Sequence, residues 1–76
     1  MYRIKKEYLE FFKDIRTSAY SRYIGIDNTY LSSILNASKS CSEIVAKAMI
    51  STRIGVSFKE EEEMNTYLEK YFAKEK

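Results

Sequence analysis

Residues 17–36, TSAYSRYIGIDNTYLSSILN, constrain the fold more than any other stretch. They read as two short helices interrupted at Gly25, and the second has two unlike sides. With about 100° per residue, Asn28, Ser32, Asn36, Thr29 and Ser33 fall within an arc of about 140°. Tyr30, Leu31, Ile34 and Leu35 fall outside it and require a core. The polar arc carries small hydroxyls and amides where Lys and Glu would be expected of simple solvation. Such a face suits close contact with a flat or grooved partner.

The flanking segments supply the rest of a small helical domain. Ile4, Tyr8, Phe11, Phe12 and Ile15 have helical spacing, which predicts a first helix over Lys5–Ile15 with Leu9 at its edge. Thr17 or Ser18 is a natural N-cap for a second helix ending near Ile24, with Tyr20, Ser21 and Ile24 inward and Arg22 outward. Gly25 suits the left-handed turn that follows, and Asp27 should cap the third helix through its carboxylate. That helix should end at Leu35 or Asn36. Ser40 and Glu43 have the S-x-x-E spacing of a capping box, which predicts a fourth helix with Cys41, Ile44, Val45, Ala48, Met49 and Thr52 on one side and Gly55 as its stop. Ser57 and Glu60 repeat the spacing and open a fifth, with Met64, Tyr67, Leu68, Tyr71 and Phe72 as its stripe and a frayed tail. An extended start at Met1–Ile4 is only weakly signalled. The expectation is an all-α, compact five-helix bundle: one domain over 1–76, with a core of about 5–58 and a C-terminal helix of about 58–74.

Composition narrows the function classes. At 76 residues the chain is near the lower size limit for a core without staples, and 45% apolar residues allow one. No run of 18 apolar residues signals a membrane span, and the opening MYRIKKEYLE does not read as a signal peptide. One cysteine excludes an internal disulfide and fits a reducing cytoplasm. No histidine means no common general base, and one Cys without His leaves a zinc site nearly ruled out. No nucleophile stands at a suggestive spacing from a base, so a non-enzymatic protein without cofactor is expected. Charge is uneven: residues 1–53 hold nine Lys and Arg against five Asp and Glu, while residues 54–76 hold four against six. An anionic partner for the first part follows from that bias, although ordinary solvating charge accounts for it equally well.

Ser21, Gly25, Ile26, Tyr30, Leu31, Ser32, Ile34 and Asn36, followed by Val45–Ala46 and Ile54–Gly55–Val56–Ser57, resemble the signature of the lambda-repressor-like (Cro/XRE-type) helix-turn-helix family. The likeness covers about residues 5–58 and is strongest to short regulators of phages and mobile elements. Ser21 stands where that family usually has Ala, Thr17 where it has Gln, and Ala37 where it has Gly. The resemblance implies a helix-turn-helix made by the second and third helices, with the third in the DNA major groove. Asn28, Thr29, Ser32 and Ser33 would then face bases, and Thr17, Arg22, Asn36, Ser38, Lys39 and Ser40 would contact phosphates. It implies a sequence-specific regulator of transcription binding double-stranded DNA. A homodimer through Tyr67, Tyr71 and Phe72 is the expected form, with packing of that stripe on the core as its equal rival. No Arg is offered to guanine, which keeps open a second class: a protein-binding module on the same scaffold, such as an antirepressor or a phage inhibitor of a host complex.

Overall fold

The computed structural model describes residues 1–13, 22, 25–55 and 61–75. Strand β1 (Tyr2–Ile4) leads through a 3-10 turn (Lys6–Tyr8) into helix α1 (Leu9–Lys13). Helices α2 (Asn28–Leu35), α3 (Glu43–Ile54) and α4 (Glu61–Tyr71) follow, and strand β2 (Phe72–Lys74) runs directly from the end of α4. The two strands pair antiparallel, with Tyr2 opposite Lys74, Arg3 opposite Ala73 and Ile4 opposite Phe72.

This overturns the expected all-α five-helix bundle: besides the helical Arg22, the described residues form four bounded α-helices and a two-stranded sheet. Helical periodicity fits Tyr67, Leu68, Tyr71 and Phe72, but the backbone changes to extended after Tyr71. The cause is non-local. Met1–Ile4 carries donors and acceptors that must be satisfied, and residues about seventy positions later satisfy them, a pairing that local spacing cannot reveal. The ladder extends to the Glu75 N–H, which donates to the Met1 carbonyl at 2.7 Å. On its other edge β1 meets Cys41, each backbone N–H donating to the other residue's carbonyl at 2.7 Å (Tyr2 and Cys41). β1 is thus the middle of three extended segments.

The first helix also begins later than predicted. Lys5 is extended, and its side chain donates to the Glu69 carbonyl at 2.8 Å while its N–H donates to the Tyr71 carbonyl at 2.9 Å. A cation at this end of α4 complements the helix dipole. Behind it lies an aromatic core. Tyr71 meets Tyr8 edge-on at 4.9 Å and stacks on Phe11 at 5.0 Å, and Phe12 lies 5.4 Å from Phe72. Arg53 lies over the Phe11 ring at 4.4 Å and donates to the Phe11 carbonyl at 2.7 Å, tying α3 to the first helix. Leu31, Ile34, Ala46, Met49, Ile50, Met64 and Leu68 complete the same cluster.

Helix ends follow local chemistry, with one shift. Gly55 ends α3 at φ 77°, as expected, but the α3 N-cap is Ser42, whose hydroxyl accepts from the Val45 N–H at 3.3 Å. Ser40, the predicted cap, lies before Cys41 because Cys41 is held on β1. Ile44, expected inside, is 75% exposed. The Ser57–Glu60 box lies outside the described residues.

After α2, Asn36 is the C-cap and Ala37 is left-handed at φ 58°. The Ala37 N–H donates to the Ile34 carbonyl and the Ser38 N–H to the Ser33 carbonyl, both at 3.0 Å, which is a Schellman closure. An L-residue with a Cβ pays a steric cost there that glycine avoids. Ala37→Gly is therefore expected to raise stability by roughly 0.5–1 kcal/mol, after the added freedom of the unfolded chain is offset. Urea unfolding measures it, and a loss of stability would mean that the turn is not strained.

Candidate nucleic-acid interface

Helix α2 is set by its own cap. The Asp27 carboxylate accepts from the Thr29 and Tyr30 N–H groups at 3.0 and 3.2 Å, so the helix starts at Asn28. Gly25 precedes it at φ 79°. Leu31, Ile34 and Leu35 are buried, which fixes the rotation of the helix about its axis and turns Asn28, Thr29 and Ser32 outward, all exposed. Ser33 differs. It is half-buried, and its hydroxyl donates back to the Thr29 carbonyl at 3.2 Å, so it stands at the edge of the outward face.

The residues expected at phosphates divide into two groups. Arg22 is exposed and helical in backbone, and Thr17 lies outside the described residues. Asn36, Ser38 and Lys39 are exposed and Ser40 is half-buried, all in the turn after α2. Ser38, Lys39 and Ser40 share an open concavity of about 520 Å³ with Arg3 and Tyr30. Neither of these last two was expected at the site. Arg3 comes from β1, whose Tyr-Arg-Ile alternation was the only hint of it. Tyr30 was expected at the core and is 36% exposed. Its hydroxyl lies 3.5 Å from the Ser40 carbonyl, and Lys39 Nζ lies 5.9 Å from its ring centre.

Electrostatically the two ends of α2 are unlike. Asp27 places a carboxylate at the start, whereas Arg3 and Lys39 gather positive charge beyond the end. Arg3 Nη1 donates to the Ala37 carbonyl at 2.8 Å, and its Nε faces Glu75 Oε2 at 3.0 Å as an ion pair. Further along, the Tyr2 hydroxyl donates to Glu43 Oε1 at 3.3 Å; desolvation, and then that carboxylate, push the Tyr2 phenol upward. Lys47 pairs with Glu43 at 3.5 Å.

In the stripe proposed for pairing, Tyr71 and Phe72 are buried in the chain's own core. Tyr67 is half-buried and stacks on Tyr71 at 6.0 Å, so it is the part a second copy could meet. Among the described residues no helix is long and apolar enough to cross a membrane, and no group of three or more His, Cys, Asp or Glu could hold a metal ion. Comparison with family models, curated proteins and solved structures finds no match to the chain.

Proposed function

We propose that the protein is a sequence-specific, double-stranded-DNA-binding regulator of transcription of the phage or mobile-element kind, related to the lambda-repressor-like helix-turn-helix proteins. The observation that carries this reading is the outward set of Asn28, Thr29 and Ser32 on a helix whose rotation is fixed by Leu31, Ile34 and Leu35. Asn pairs bidentately with adenine, and Ser and Thr meet several bases or the thymine methyl, so this short face can read the major groove. Ser33 contributes at its edge, and the turn after α2 meets the backbone. One such helix buries little surface, so two copies on a palindromic site supply the needed affinity.

Fluorescence anisotropy with a duplex taken from the promoter beside the gene tests this reading. Binding is expected to weaken steeply with salt, by orders of magnitude for several phosphate contacts. Asn28→Ala should change the preferred sequence, while Lys39→Ala should weaken all sequences alike. No complex at low salt, together with recovery of a defined protein partner, would transfer the function to the protein-binding class.

A further inference from the structure

The concavity between β1 and the turn after α2 combines features that the outward face of α2 lacks. Arg3 and Lys39 line the same 520 Å³ space although they are 36 positions apart, with Tyr30, Ser38 and Ser40 around them. Carbonyls that would repel an anion there already have donors. The Ser33 carbonyl accepts from the Ser38 N–H and hydroxyl at 3.0 Å and from the Lys39 N–H at 3.3 Å, and the Ala37 carbonyl accepts from Arg3. The Glu75 carboxylate is held in an ion pair by Arg3 Nε at 3.0 Å. Three of the five guanidinium N–H groups remain beyond these two contacts, and the ammonium of Lys39 has three.

We propose that this concavity seats a phosphate group, held by the Arg3 guanidinium and the Lys39 ammonium with the Ser40 hydroxyl as a neutral donor, while the Tyr30 hydroxyl donates to the Ser40 carbonyl. A tetrahedral anion accepts from several directions at once, and a guanidinium fork presents paired N–H groups to its oxygens. The space is open, so the phosphate can belong to a chain that continues past it, which is how a DNA backbone would be gripped beside α2. That source rests on the DNA-binding reading above; free phosphate offers the same chemistry. Arg3 is the new element. It adds a cation from the N-terminal strand to a grip otherwise made by a single turn.

The test measures two titrations on the wild type, Lys39→Gln and Arg3→Gln, with thermal melts to show that each variant is folded. In the first, duplex affinity is followed against salt; each cation removed is expected to lower the log–log slope by about 1. In the second, inorganic phosphate is added while the amide resonances of residues 38–40 are followed, and shifts are expected in the wild type and not in Lys39→Gln. Among the described residues the Lys39 side chain makes only a long contact with Tyr30, so its variant decides the matter if Arg3→Gln melts early. Duplex binding with unchanged slopes and no phosphate shifts overturns the seat and leaves the DNA reading standing. Phosphate shifts without duplex binding keep the seat for free phosphate and remove the DNA reading. Silence in both titrations overturns both.

Discussion

Phe12→Ala is expected to lower stability by about 3–5 kcal/mol, the cost of deleting a fully enclosed aromatic side chain. Phe12 has no exposed surface and lies between the ring of Tyr71, 5.6 Å away, and that of Phe72, 5.4 Å away. Those two residues belong to the end of α4 and the start of β2, so the cavity would open where the helix becomes strand. Rings at this junction cannot close the gap without moving the backbone ladder to β1, and the penalty should sit high in its range. A domain of this length is stable by roughly 4–11 kcal/mol, so about half of the total is at stake. Urea unfolding followed by circular dichroism gives the difference from the midpoint shift at constant slope. A loss below about 1 kcal/mol would mean that Phe12 is not sealed in the core.

Cys41 should make the protein sensitive to alkali. Its thiol has no exposed surface, and burial pushes its pKa up to about 12, against a smaller opposing pull from the N-terminal ammonium. The ordinary value is 9.0, so the folded state holds the proton more tightly than the unfolded state does. The resulting stabilisation is complete below pH about 9 and is lost as pH rises toward about 12, at up to about 1.4 kcal/mol per pH unit. Tyrosines and lysines also titrate in that range, so the informative quantity is wild type minus Cys41→Ala. This difference should be flat below pH 9 and decline above it. A flat difference up to pH 11 would show that the thiol is ionised in the native fold. At neutral pH a thiol reagent should react only when the backbone pairing of Cys41 with Tyr2 opens, so the labelling rate reports on that edge of β1.

Much of the helical scaffold is legible in the residues. Asp27 states the start of α2, Leu31, Ile34 and Leu35 its inner face, and Gly55 the end of α3, because each acts within one helical turn of itself. Elements that depend on distant partners are not legible. Nothing near Phe72 announces that the chain turns extended there, since the reason is Met1–Ile4 at the other end of the chain. The same remoteness moves the α3 cap from Ser40 to Ser42, because Cys41 answers to Tyr2 before it answers to the helix. Ile44 satisfies the i, i+4 arithmetic with Ala48 yet faces water, since α3 packs through Ala46, Met49 and Ile50. At the candidate site the outward Asn28, Thr29 and Ser32 follow from periodicity. Arg3 does not, because its place beside Lys39 exists only once the strands pair.

The clasp between residues 1–4 and 72–75 also sets an order of events during synthesis. While the chain is still being made, α2 and α3 can form from local contacts, but β1 has only Cys41 to pair with and its other edge stays bare. The sheet, and with it the Glu75 contact to Arg3, becomes available only after residue 75 has emerged. The positive concavity beside α2 is therefore finished only once both strands are paired, later than the helix it flanks.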